Sequence, residues 1–136
     1  MKKIAVIGAG NRIGGICRAI SNWEKVSLVA VCDPDFEGAK ERIASWNIDT
    51  QNTVFYPADK LEKMLDETNP DGVLIGTRCN LHATLAKPVL KRNIPLFLEK
   101  PVGVTEEDLT ILEENNRFNT VISFPLRLSL LAKRAK

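Results

Sequence analysis

The stretch Ile4-Ala-Val-Ile-Gly-Ala-Gly-Asn-Arg-Ile-Gly14 decides the fold, because it leads from an apolar β-type run through three glycines into a helical pattern. Gly8, Gly10 and Gly14 have the spacing G-x-G-x-x-G. In that pattern the first glycine allows a tight strand-to-helix turn, the second admits a pyrophosphate close to the backbone, and the third lets the helix pack on the strand. The free amides at the start of the helix, expected near Arg12, would face the anion.

Two features that follow this stretch support the same interpretation. Apolar side chains recur at helical spacing after the glycines, at Ile13, Ile16, Cys17 and Ile20. A second β-type run, Val26–Cys32, then ends at Asp33, nineteen residues beyond Gly14. An acid at that point accepts hydrogen bonds from an adenosine ribose. The combination predicts a dinucleotide site, although Asp33 could also be a simple turn residue before Pro34.

Length and composition limit the class of protein. The chain has 136 residues, enough for one domain with a real core and too few for a second. Its hydrophobic fraction of 44%, its charged fraction of 26% and its net charge of +2 give no reason to expect a nucleic acid or an anionic membrane as partner. No apolar run approaches the roughly 18 residues of a membrane span, and the start does not resemble a signal peptide. We therefore expect a cytoplasmic protein.

Cysteine and histidine usage argues against several other chemistries. Cys17, Cys32 and Cys79 are widely spaced and odd in number, which indicates neither a disulfide framework nor a zinc site. His82 is the one histidine of the sequence, and no G-x-S-x-G motif accompanies it. We therefore expect no metal ion and no serine-histidine-aspartate triad, and interpret the cysteines as packing residues.

Apolar β-type runs alternate with helical patterns along the rest of the chain. Further strands are expected at residues 53–55, 73–75, 95–98 and 120–124. Helices are expected at residues 36–46, 57–68, 81–92 and 105–115, and the start of another at 125–136. Such alternation is typical of parallel βαβ units with right-handed crossovers. We therefore expect an α/β fold with a doubly wound parallel sheet, a Rossmann fold of about six strands with helices on both faces.

Ligands of an open parallel sheet bind beyond the carboxyl ends of its strands, so the residues after each strand are the candidates. Besides the glycine turn and the ribose acid, these are residues 76–80 with His82, and residues 99–101. Lys100 is held extended by the proline that follows it and could hydrogen-bond a substrate hydroxyl and exchange a proton with it. The segment 76–80 would supply polar groups beside a nicotinamide.

Each of these candidates also has a plainer structural explanation. Glu99 and Lys100 could be a solvated pair at a strand end, and residues 77–80 a loop that caps the next helix. His82 opens a helical pattern, where a single histidine often serves as a structural hydrogen-bonding residue. Cys79 could be a reactive thiol, but nothing in the sequence activates it. From the residues alone, these alternatives stay open.

With these motifs in place, the chain resembles the N-terminal domain of the Gfo/Idh/MocA oxidoreductases, over about residues 3–134. Four motifs carry the resemblance: Gly8-Ala-Gly-Asn-Arg-Ile-Gly14, Cys32-Asp-Pro34, Thr77-x-x-Asn80-x-His82, and Glu99-Lys-Pro101 followed by Thr105-Glu-Glu107. The resemblance implies NAD(P)-dependent oxidation or reduction of a hydroxyl on a sugar, a polyol or a related molecule.

The resemblance also implies roles for individual residues. The residues around the pyrophosphate would be Gly8, Gly10, Asn11, Arg12, Ile13 and Gly14. Asp33 would hold the adenosine ribose. The residues along the nicotinamide half would be Thr77, Arg78, Asn80, His82 and Glu99. Lys100 would be the catalytic residue that touches the substrate. No arginine cluster directly follows the second strand, and the Asp33 carboxylate would repel a 2′-phosphate, so NAD is expected rather than NADP.

Two departures from the family pattern matter. Arg78-Cys79 stands where family members often have a proline after the threonine, so this loop is expected to differ. The family's second domain supplies the substrate floor, a histidine and an aspartate beside the lysine, and the interface of a homo-oligomer. We expect this domain to be missing, since Phe124-x-x-Arg127 resembles the sequence leading into it. The chain is then a truncated half, inactive alone; the alternative is a stand-alone nucleotide-binding or redox-sensing module.

Overall fold

The computed structural model describes residues 1–115, 119–124 and 134. Within these ranges the chain forms six strands: β1 (Lys2–Ile7), β2 (Val26–Cys32), β3 (Val54–Tyr56), β4 (Gly72–Ile75), β5 (Leu96–Glu99) and β6 (Thr120–Ser123). The helices between them are α1 (Asn11–Ser21), α2 (Phe36–Ser45), α3 (Leu61–Thr68), α4 (His82–Lys91) and α5 (Glu106–Asn115). None of these helices is long and apolar enough to cross a membrane. The helix predicted at residues 125–136 falls, except for residue 134, outside the described residues.

The six strands form one parallel sheet in the order β3-β2-β1-β4-β5-β6. The order runs outward from β1 in both directions, which is the doubly wound arrangement of a Rossmann fold. The strand order therefore reverses between β1 and β4, where a crevice forms at the carboxyl ends of the strands. The predicted fold class is confirmed.

The sheet has a buried apolar core on each face, because successive side chains of a strand point to opposite sides. Ala5 and Ile7 of β1 pack with buried side chains of α3 and α4. Val6, which lies between them, packs on the other face with side chains of α1 and α2. Helices thus cover both faces, as predicted.

Burial raises the pKa of the Cys17 thiol to about 12 and that of Cys32 to about 11, as suits packing residues.

β5 begins and ends one residue later than predicted, so that the candidate site residue Glu99 belongs to the strand. Pro95 lies outside the strand because it has no N–H to donate to the ladder, while Glu99 belongs to the strand and pairs with Ser123. Leu98 faces the core beneath α3 and α4. The Glu99 side chain therefore points to the opposite face, on which α1 lies.

β3 is shifted by one residue at both ends, and α4 is one residue shorter at each end than predicted. The helix predicted at residues 57–68 is a 3-10 turn at Ala58–Lys60 followed by α3, which begins only at Leu61.

A capping box formed by Thr105 and Asp108 begins α5. Thr105 Oγ1 accepts the N–H of Asp108 at 3.1 Å, and Asp108 Oδ2 accepts the N–H of Thr105 at 3.1 Å. The same Oδ2 atom also accepts the N–H of Val104 at 2.9 Å. These bonds satisfy backbone donors that a helix start otherwise leaves unpaired.

Asp108 is expected to make this helix start depend on pH. The backbone hydrogen bond from Val104 is the main cause that holds the pKa of the Asp108 carboxyl below its ordinary value. Such a carboxylate adds stability above its unfolded pKa, and this contribution is lost as pH falls through the folded pKa. Asp108→Asn should therefore be less stable than wild type at neutral pH, with a difference that shrinks below about pH 4. Urea denaturation across this range measures it, and a difference that does not change with pH would contradict it.

Candidate functional site

Four strand ends meet at one edge of the sheet because their residues are in register. Ile7 pairs with Cys32 on one side and with Ile75 on the other, and Ile75 pairs with Leu98. The next residues along these four segments are Gly8, Asp33, Gly76 and Glu99. The structure therefore brings together the glycine turn, the predicted ribose acid and the two segments predicted for the nicotinamide half.

Gly8 makes the turn from β1 into α1 in a conformation that requires glycine. Its φ is +81°, and its N–H donates to the carbonyl of Cys32 at 2.9 Å. A Cβ atom on Gly8 would lie 2.5 Å from the side-chain methyl of Thr77 and 3.0 Å from the Thr77 backbone nitrogen. The loop after β4 therefore rests directly on this turn, which fixes Thr77 relative to the start of α1.

Gly10 and the first turn of α1 have the properties of an anion site. Gly10 is the N-cap residue; no side chain of the described residues caps the helix, and its first turn holds no acid. Among the residues that the structure describes, a Cβ atom on Gly10 would meet only the carbonyl oxygen of Gly76, at an ordinary 3.7 Å. The space above Gly10 is thus open, and the first amides of the helix, at Asn11, Arg12 and Ile13, are available to an anion. These residues fit the diphosphate of a dinucleotide.

Gly14 has a different packing role from the one predicted. A Cβ atom on Gly14 would clash with the ring of Trp46, the residue that follows the last residue of α2. The close approach between helix and strand lies instead at Gly76, where a Cβ atom would be 2.7 Å from Cβ of Ile13. Ile13 is fully buried, so only its backbone can face a phosphate. The third glycine thus admits an indole from the neighbouring helix.

Asp33 faces the glycine turn, and its carboxylate already accepts three hydrogen bonds from the protein. Its Oδ2 accepts the N–H of Ala9 at 2.8 Å, and its Oδ1 accepts the N–H of Asp35 at 2.9 Å and a donor of Arg42 at 3.3 Å. A carboxylate has about four acceptor positions. Asp33 therefore ties the turn to the end of β2 and keeps one position, on Oδ2, for a further donor such as a ribose hydroxyl.

Arg42 lies beside Asp33, a neighbour that the sequence pattern does not indicate. Its Nε donates to the carbonyl of Ala9 at 3.0 Å, and its Nη1 donates to Asp35 Oδ2 at 2.9 Å. The hydrogen bond from Arg42, followed by that from the Gly38 N–H, holds the pKa of the Asp35 carboxyl below its ordinary value. No arginine cluster directly follows β2 in the sequence, but α2 brings Arg42 back over the turn and next to Asp33.

The carboxyl end of β5 combines a buried acid, Glu99, with an exposed base, Lys100, that follows it. Glu99 is buried, and its Oε2 lies 3.9 Å from Nη1 of Arg12 in the first turn of α1. Lys100 is exposed at the edge of the sheet, and the peptide bond that joins it to Pro101 is cis. The ion pair between Glu99 and Arg12 connects the predicted pyrophosphate end of the crevice with the predicted nicotinamide end.

His82 joins the loops that follow β4 and β5. It is 1% exposed, its Nδ1 lies 2.7 Å from the carbonyl oxygen of Pro101, and its Nε2 lies 3.2 Å from that of Thr77. A neutral imidazole donates from only one nitrogen, so one of these contacts is a hydrogen bond in that form. Both ring nitrogens are turned toward backbone, which favours the structural explanation of this residue. Arg78 and Asn80, in contrast, are exposed on the loop.

The family model of the Gfo/Idh/MocA oxidoreductases, an oxidoreductase family with an NAD-binding Rossmann fold, matches residues 2–122. The chain belongs to this family. The match extends from β1 into β6 and includes every residue predicted to bind the cofactor or the substrate. The resemblance predicted from the four motifs is confirmed, and NAD is the cofactor that this Rossmann fold binds.

Relatives of this Gfo/Idh/MocA domain are longer proteins. The rhizopine catabolism protein MocA of Rhizobium meliloti is 32% identical over 107 residues, covering 78% of this chain and 31% of that protein. The glycosyl hydrolase family 109 protein 2 of Akkermansia muciniphila is 27% identical over 122 residues, covering 84% and 25%. The chain thus spans a third or less of the length of these curated relatives.

Solved structures show the same fold. The myo-inositol dehydrogenase of Lactobacillus casei, in complex with NAD(H) and myo-inositol, superposes with a TM-score of 0.80 at 21% sequence identity, covering 98% of this chain and 40% of that chain. At this identity the likeness establishes the Rossmann architecture of the Gfo/Idh/MocA domain. The share covered again shows that the neighbour continues well beyond the part that matches.

Proposed function

We propose that this chain is the NAD-binding part of an oxidoreductase that transfers hydride between the nicotinamide and a hydroxyl-bearing carbon of a sugar-like or polyol-like molecule. The observation that carries the proposal is the contact between Asp33 and the glycine turn, 2.8 Å from Oδ2 to the Ala9 nitrogen, next to the open space above Gly10. An acid that can hold a ribose and a helix start that can hold a diphosphate thus lie side by side.

The protein's own residues would divide the binding work along the crevice. The cofactor, when bound, supplies the hydride acceptor or donor. The first amides of α1 would bind the diphosphate, and Asp33 would accept one ribose hydroxyl. Arg12, within reach of Glu99, would add positive charge beside the phosphates. Thr77, Arg78, Asn80 and Glu99 would line the nicotinamide half.

Lys100 is the proposed catalytic residue. It lies at the carboxyl end of β5, where an open sheet places its ligands, and it is exposed to a substrate. Its Nζ would hydrogen-bond the reacting hydroxyl and hold or move the proton that leaves the oxygen during oxidation. His82, which contacts the Pro101 carbonyl at 2.7 Å, would help to fix the segment that carries Lys100.

We further propose that a second domain completes the site in the whole protein and that the chain alone does not turn over. The support is the length of the relatives, of which this chain covers 31% and 25%. The polyol class of substrate is supported by the inositol dehydrogenase among the structural neighbours. Turnover is tested with the product of the complete coding region, NAD and a panel of polyols, by the absorbance of NADH. A complete protein that reduces no NAD with any of them would contradict the dehydrogenase assignment.

Removal of the Asp33 carboxylate tests the cofactor site directly. Asp33→Ala should weaken NAD binding about tenfold or more, since a hydrogen bond to a charged group contributes roughly 1.5–3 kcal/mol. Isothermal titration calorimetry at millimolar NAD measures the dissociation constant. Asp33→Asn, which keeps an acceptor for the Ala9 N–H, is a second variant in case the alanine disturbs the turn. The absence of any binding heat in the wild-type protein would contradict the proposed function.

A further inference from the structure

The adenosine end of the site contains a cluster of three charged residues, Asp33, Asp35 and Arg42. Arg42 donates to Asp35 Oδ2 at 2.9 Å, to Asp33 Oδ1 at 3.3 Å and to the carbonyl of Ala9 at 3.0 Å. One guanidinium therefore joins the ribose acid, the N-cap residue of α2 and the glycine turn. Two carboxylates against one guanidinium leave the cluster with a net charge of −1.

The two acids of this cluster differ in their access to solvent. The side chain of Asp33 is 10% exposed, that of Asp35 65% and that of Arg42 33%. Asp33 is held inside by the turn, whereas the ion pair between Asp35 and Arg42 forms the outer side of the cluster. A phosphate on a ribose held by Asp33 would meet this pair first.

We propose that Asp35 and Arg42 set the selectivity of the site for NAD over NADP, with Asp35 occupying the guanidinium that would otherwise bind a 2′-phosphate. The proposal rests on the proposed contact between Asp33 and the ribose. Arginine binds phosphate with two parallel N–H groups, and an arginine near this position is how Rossmann sites accommodate NADP. Here the arginine is present but is engaged by Asp35, and the net negative charge repels a further anion.

Asp35→Asn isolates this effect because it removes the charge and keeps the helix start. Asp35 Oδ1 accepts the N–H of Gly38 at 3.1 Å, which is the N-cap bond of α2. Asparagine is as good an N-cap as aspartate, so the helix should form normally. The cluster then becomes neutral, and one arm of the guanidinium is released.

The test compares dissociation constants for NAD and NADP, measured by isothermal titration calorimetry. We expect Asp35→Asn to lower the ratio of the NADP constant to the NAD constant about tenfold, with the NAD constant nearly unchanged. Adding Arg42→Gln to this variant should abolish the gain in NADP affinity. Asp66→Asn is the matched control, because Asp66 accepts from Arg92 at 2.9 Å and is 64% exposed, but lies on α3. It should leave the ratio unchanged.

The outcomes separate this proposal from the one on which it rests. A wild-type protein that binds neither nucleotide overturns the proposed cofactor site, and the selectivity proposal with it. NAD binding by the wild type with the same ratio in Asp35→Asn overturns the selectivity role alone. If the gain in NADP affinity persists after Arg42→Gln, it comes only from the loss of repulsion between Asp35 and the 2′-phosphate. That result would overturn the role of Arg42.

Discussion

Gly8→Ala is expected to abolish NAD binding and to destabilise the protein by about 3 kcal/mol. Gly8 has a φ of +81°, a conformation in which a Cβ atom clashes with the backbone of its own chain. The added methyl would also lie 3.0 Å from the nitrogen and 3.1 Å from the Cα of Thr77. Backbone atoms of a neighbouring strand end cannot rotate away as a flexible side chain can. The turn must therefore open, which displaces the first amides of α1 from the proposed diphosphate site.

A matched control for this substitution lies in the same segment. Gly15 is in α1, and a Cβ atom there would have no atom of another described element within 4 Å. Gly15→Ala should therefore stabilise the helix by about 0.5–1 kcal/mol and leave NAD binding intact. Urea denaturation gives both free energies of unfolding, and calorimetry gives the dissociation constants. Equal effects of the two substitutions would mean that the turn does not require the left-handed conformation at Gly8.

The glycine turn and the place of Asp33 beside it could be predicted from the sequence because their signal is local. The spacing of the three glycines follows from one strand, one turn and one helix, and Asp33 is found by counting to the end of the next strand. A parallel sheet with right-handed crossovers follows from the alternation of strands and helices, whereas the order of its strands comes from the structure. None of these predictions depends on knowing which side chains are in contact between different elements of the fold.

The partners of these residues could not be predicted because they depend on contacts between elements. Arg42 lies seven residues after Asp35, which is two helical turns along α2. This spacing predicts a contact between Arg42 and the glycine turn only if α2 is already known to pass over that turn. The contact of His82 with the carbonyl of Pro101 joins the start of α4 to the loop after β5, between two residues nineteen apart in the chain. Helical periodicity indicates that Trp46 faces inward, but not that its ring lies against Gly14.

The contact between Gly14 and Trp46 leads to the second large expected effect. A Cβ atom on Gly14 would lie 2.5 Å from Cζ2 and 2.9 Å from Cδ2 of the indole ring. The ring is 7% exposed, so the core around it leaves little room to move. Overpacking of this kind costs about 3 kcal/mol, against a gain of about 1 kcal/mol for alanine over glycine in a helix. Gly14→Ala should therefore destabilise the protein by about 2 kcal/mol and weaken NAD binding, because α1 is pushed away from the crevice.

A double-mutant cycle with Trp46→Leu shows whether the ring is the cause. Trp46→Leu alone should destabilise the protein, since it leaves a cavity beneath α1. In that background the added methyl of Gly14→Ala has space, so the substitution should become neutral or stabilising by up to about 1 kcal/mol. The coupling energy between the two positions is then about 2–3 kcal/mol, toward the upper end for residues in contact. If Gly14→Ala costs the same with and without the indole, the third glycine is needed for another reason, such as the approach of α1 to the sheet.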